Sequence, residues 1–81
     1  MGSNLPVCSG AEVRRILERH GYTFRRQRGS HLILKHAGPP PRRLVIPNHR
    51  ELRRGTLLSI LDDAGVSVGE FIRMRSKKSG K

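Results

Sequence analysis

Residues 31–36, "HLILKH", follow a Gly29-Ser30 pair and alternate in a way that fits a half-buried strand. Successive strand side chains point to opposite faces. Leu32 and Leu34 therefore share one face, and His31, Ile33 and Lys35 share the other. Such a strand needs partners, and the flanking sequence supplies them. "YTFRRQ" precedes it across the turn "RGS", a hairpin signal. "RLVI" follows the rigid connection "AGPPPR" and stops at Pro47. Proline lacks the donor that a central strand requires, which confines it to strand ends and edges. If the even-numbered face of the middle strand lies on helices, His31 stands on the open face.

Helix signals bracket these strands. In "SGAEVRRILERHG", Ser9 and Glu12 have capping-box spacing, with Ser9 as N-cap. Val13, Ile16, Leu17 and His20 make one stripe at helical spacing, and Gly21 is placed to end the helix. That reading sets His20 at the edge of the core. Within "PNHRELRRGTLLSILDDAG", Leu57, Ile60, Leu61 and Ala64 form a second stripe that Gly65 stops. Ser67 and Glu70 repeat the capping-box spacing and open one or two last turns carrying Phe71 and Ile72. The order is helix, three strands, helix and a short helix, an α+β arrangement. Residues 1–8 are expected to be a flexible N-terminus, 9–75 a single domain, and 76–81 ("SKKSGK") a disordered basic tail without an apolar partner.

A chain of 81 residues has room for one small domain. Such a domain buries only about 60% of its unfolded surface, so its core must be shallow. Tyr22, Phe24 and Phe71 are the only aromatics, and a core built mostly from aliphatic side chains claims them. No stacking platform for bases is left over. Seventeen Lys and Arg stand against six Asp and Glu, an excess that attracts polyanions. Cys8 has no second cysteine to pair with, which excludes a disulfide framework and a thiolate zinc cluster. No apolar run approaches the roughly 20 residues of a membrane helix, and no signal peptide is visible, so the cytoplasm is the expected location.

The chemistry narrows by elimination. His20, His31, His36 and His49 fall on different predicted elements without a recognised metal-ligand spacing. His31 and His36 would point to opposite faces of their strand, and Asp62 and Asp63 diverge as helix neighbours. No metal or cofactor is expected. Ser30 and His31 are adjacent and point apart, with no acidic residue nearby to complete a triad. What remains is one exposed imidazole among cations, a combination suited to RNA. The 2′-hydroxyl is an internal nucleophile, so the enzyme must move a proton, hold the phosphate and stabilise its charge. Imidazole moves protons near neutral pH, and Arg or Lys supplies the electrostatics.

"RQRGSHLILKH", followed about twenty residues later by "ELRRGTLLSILDDAGVSVGEF", resembles the HicA family of toxin ribonucleases. The shared pattern is a Gly-Ser-His opening the second strand, then Gly-Thr-Leu, Ser-Ile-Leu, Ala-Gly and Glu-Phe. The likeness covers roughly residues 10 to 73. It implies a double-stranded-RNA-binding-domain-like fold, with helices on one face of a three-stranded antiparallel sheet. It also implies an mRNA-cleaving toxin held in check by a HicB-like antitoxin that covers the active site. The family's catalytic histidine falls on His31, and its Gly and Ser fall on Gly29 and Ser30. Many members carry a second histidine where this chain has Leu32, so an auxiliary role there is unavailable.

The reading that results is a metal-independent endoribonuclease of a toxin–antitoxin pair, acting on mRNA. His31 moves the proton, Gly29 and Ser30 set the turn, and Arg25, Arg26, Arg28 and Lys35 are candidates for holding RNA. Strand parity alone would keep those cations from sharing one groove. Ile33, beside His31, is the expected apolar contact for an acidic antitoxin. The alternatives are a non-catalytic RNA-binding module of the same fold and a pure interaction protein with an acidic partner.

Overall fold

The structure is a computed structural model that describes residues 5–76. Its elements are α1 (Gly10–Glu18), β1 (Thr23–Arg28), β2 (His31–His36), β3 (Arg42–Pro47), α2 (Arg54–Ala64) and α3 (Val68–Ser76). The strands form one antiparallel sheet in the order β1-β2-β3. This is the double-stranded-RNA-binding-domain-like α+β arrangement, with α3 appended.

Local chemistry fixes the helix starts. The Ser9 hydroxyl accepts the Glu12 N–H at 3.0 Å, satisfying a donor that the first turn leaves open. At α3 the capping box is reciprocal: Ser67 Oγ accepts from the Glu70 N–H, and Glu70 Oε1 accepts from the Ser67 N–H. The end of α2 is held by side chains as well as by Gly65, whose φ is 74°. The Tyr22 hydroxyl donates to the Ala64 carbonyl at 3.0 Å, and Arg42 donates to the Asp63 carbonyl at 3.0 Å. The Arg42 cation also suits the negative end of the helix dipole.

The core lies on one side of the sheet. Leu32, Leu34, Leu44 and Ile46 from the strands meet Val13, Ile16, Leu17, Leu57, Leu61 and Phe71 from the helices. α1 comes so near the end of β3 that a Cβ on Gly10 would collide with the Pro47 carbonyl. The Gly10 N–H donates to the His49 carbonyl at 2.9 Å.

Four features differ from expectation. α1 ends at Glu18, so half-buried His20 sits in the following turn rather than on the helix. The hairpin link is Gly29-Ser30 alone, since Arg28 still pairs with His31. α3 runs for nine residues. In the described part of the segment before α1, Cys8 is buried, its carbonyl accepts the Leu52 N–H at 2.8 Å, and Leu5 lies against the core, while Val7 is exposed. The basic tail lies outside the described residues beyond Ser76.

Candidate nucleic-acid interface

Pairing across the sheet decides which side chains share its open face. His31 lies between Arg28 and Pro47, Ile33 between Arg26 and Val45, and Lys35 between Thr23 and Arg43. Directly paired residues point the same way. The ladder shifts between Phe24 and Arg26, leaving Arg25 as a bulged extra residue. A bulge breaks the two-residue alternation. Arg25 therefore lines the same depression as Thr23 and Lys35, while Arg26 also pairs on the open side. The bulge brings Arg25 beside Lys35, but the four cations do not share one groove: Arg28 lines a separate depression and Arg26 lines neither.

Two shallow depressions mark the face. One is lined by Arg28, Gly29, His31, Ile33, Arg43 and Val45. The other, toward the far end of β2, is lined by Thr23, Arg25, Lys35, Pro41, Arg42 and Arg43, among others. Arg43 borders both. No Asp or Glu occurs anywhere between Glu18 and Glu51, so the sheet and its loops contain no carboxylate. The aromatics are elsewhere: Tyr22 and Phe71 are buried, and Phe24 lies under the Arg14 guanidinium at 3.7 Å.

His31 is exposed at the start of β2. Its turn is braced from both sides. Gln27 Nε2 donates to the Gly29 carbonyl at 2.9 Å, and the Asn48 N–H donates to the Ser30 carbonyl at 2.7 Å. Gly29 has φ 59° in open space, so backbone conformation rather than crowding favours glycine there. Ser30 acts in this bracing through its carbonyl.

Ile33 is only 3% exposed although it lies outside the core cluster. It pairs with Arg26 and Val45 across the sheet, and the apolar group that reaches solvent there is Val45, 41% exposed. Sequence reasoning passed over Val45 and Arg43. Both could have been found by carrying the alternation of "RLVI" across the ladder from Ile33 and Lys35.

The remaining candidates are structural. His36 Nδ1 accepts the Gly38 N–H at 2.9 Å, and its ring meets Tyr22 edge-on at 4.9 Å. Among the described residues no group of three or more His, Cys, Asp or Glu is placed to hold a metal ion. Burial pushes the Cys8 thiol above its ordinary range, Glu12 adds to the rise, and Arg75 opposes it. A protonated, buried thiol is a poor nucleophile.

A helix-backed sheet whose bare face is cationic and free of carboxylates defines a small basic α+β domain. The family model described as "HicA toxin of bacterial toxin-antitoxin" matches residues 10–66. The chain belongs to this family, the toxin side of toxin–antitoxin systems. The matched segment runs from the start of α1 to just past α2 and leaves α3 outside it. No curated protein matches the chain. Among the described residues, no helix is long and apolar enough to cross a membrane.

Proposed function

We propose that this toxin is a metal-independent endoribonuclease that cleaves mRNA, with His31 as its proton-transfer residue, and that a HicB-like antitoxin silences it by covering the open face. One observation carries the reading: an exposed imidazole stands at a braced turn, on a sheet face rich in Arg and Lys and empty of carboxylates.

Cleavage then uses the RNA's own 2′-hydroxyl. His31 takes the proton from the 2′-oxygen as that oxygen attacks phosphorus. The bond to the 5′-oxygen breaks, and the departing oxygen takes a proton from solvent. The products are a 2′,3′-cyclic phosphate and a free 5′-hydroxyl. Arg28, paired with His31 across the hairpin, is within reach of the same phosphate and offsets the charge that builds on its non-bridging oxygens. Arg25, Arg26 and Lys35 hold the flanking strand. Gly29 and Ser30 fix the position of the imidazole.

The antitoxin's apolar anchor on this face is Val45, with its cross-strand partner Ile33 in the same depression. An acidic partner would meet the cations around it and associate quickly at low salt. The test is transcript cleavage by wild type and His31→Ala, each with an RNA-binding measurement and a melting curve. Loss of cleavage with RNA binding and melting retained supports the reading. Cleavage by the variant would take the proton-transfer role from His31, whereas absence of cleavage by correctly folded wild type leaves a non-catalytic RNA-binding module.

A further inference from the structure

Resting on that reading, the chemistry at His31 occupies one depression, and the cations of the other are left to the flanking strand without a defined position on it. We propose that the depression formed by Arg25, Lys35 and Arg43 is a second phosphate subsite, which holds single-stranded RNA roughly two nucleotides from the scissile linkage and sets a minimum substrate length on one side of it.

Placement comes first. Lys35 lies four residues along β2 from His31 and faces the same way, a separation of about 13 Å at the usual strand rise. Arg43 is directly across from Lys35, and the bulge brings Arg25 to the same depression. Cations from all three strands thus line one shallow site.

They are also uncommitted. Ion pairs join Arg14 to Glu18 and Arg75 to Glu12, both among the helices. Arg42, at the edge of the depression, is engaged with the end of α2. Among the described residues, Arg25, Lys35 and Arg43 have no such partner. Clustered like charges repel, and a bound phosphate reverses that cost. Because Arg43 borders both depressions, the two sites form one track along β2.

The same track favours a single strand read by its backbone. With no Phe, Tyr or Trp side chain on the open face, the track offers bases no extended platform to stack upon. In-line attack by the 2′-oxygen also requires a linkage that can turn into position, which a paired, stacked strand resists.

The experiment uses DNA oligonucleotides carrying one ribonucleotide, so that a single linkage has the required 2′-hydroxyl. They are lengthened one nucleotide at a time on the 5′ or the 3′ side. The expected result is a stepwise fall in KM when the second nucleotide is added on one side only. At that step, the log–log salt dependence of binding steepens by about 0.7. Lys35→Ala and Arg25→Ala, on different strands, both remove the step, whereas Arg15→Ala on the exposed side of α1 keeps it. Equal gains per nucleotide on both sides, or a step that survives in Lys35→Ala, overturns the subsite. If no member of the series is cut, the proposed nuclease activity fails instead, and binding of the same series still shows whether the step exists.

Discussion

β2 begins and ends with histidine, and its two ends have opposite environments. His31 stands in solvent, and its side chain makes no hydrogen bond to a described residue. His36 is half-buried and clamped by the Gly38 N–H and the Tyr22 ring, with Gly21 close against its Nε2. An imidazole with a fixed partner contributes to stability and is poorly placed to meet a substrate. One without a partner adds little to stability and is available for chemistry. Residue type and strand are the same, so surroundings alone separate the roles.

Exchanging the effects of the two histidines would break this comparison most directly. His31→Ala should lower RNA cleavage by roughly 10²- to 10⁴-fold, the usual worth of a positioned proton-transfer group, with melting unchanged. His36→Ala should do the reverse: a loss of about 1–2 kcal/mol from its hydrogen bond and ring contact, with cleavage intact below the melting transition. A large fall in melting temperature for His31→Ala, measured by circular dichroism, would make His31 structural.

The glycines beside each end sharpen the contrast. Gly21 and Gly29 both have positive φ, at 96° and 59°. A Cβ at Gly21 would lie 2.8 Å from His36 Nε2, whereas one at Gly29 would meet nothing within 4 Å. Gly21→Ala should therefore cost about 2 kcal/mol or more, and Gly29→Ala about 1 kcal/mol, the backbone term alone. Urea titration of both variants checks the order, and equal costs would show that the His36 clamp yields easily.

A smaller effect lies in alkaline pH. Burial raises the Tyr22 phenol above its ordinary range; Arg42 lowers it and Asp63 raises it further. A folded-state pKa above the unfolded one stabilises fully below the unfolded value and is lost as pH rises through the folded one. Stability should hold to about pH 10 and then decline. Tyr22→Phe should remove part of that decline and cost about 1 kcal/mol at neutral pH through the lost bond to Ala64. A variant whose alkaline limb matches wild type would place the titration elsewhere. The smallest expected effect is none: cleavage should continue in EDTA, since no described group of ligands is placed for a metal. Activity lost to chelator and restored by a divalent ion would end the histidine-only mechanism.

Much of this was legible in the sequence because it is local. Capping at Ser9 and Ser67 is decided within a turn of helix, and the alternation of Leu32, Ile33 and Leu34 assigns both faces of β2 by itself. The position of His31 follows from that alternation and the Gly29-Ser30 turn. What escaped depends on contacts distant in sequence. The bulge at Arg25 exists only against β2, and nothing in "TFRRQ" announces it. Cys8 is drawn in by Leu52, far along the chain. Ile33 falls on the open face by alternation, yet it is buried, a fact that alternation cannot supply.

The bulge at Arg25 also bears on how this strand tolerates changes in chain length. Phe24 pairs with Leu34 and Arg26 with Ile33, so the ladder on both sides is already in phase without the residue between them. Deleting Arg25 would leave Phe24 and Gln27 facing inward and Arg26 and Arg28 facing out. A deletion elsewhere in β1 would instead turn part of the strand over. At this one point the protein can gain or lose a cation by indel rather than by substitution, with the pairing of its neighbours preserved.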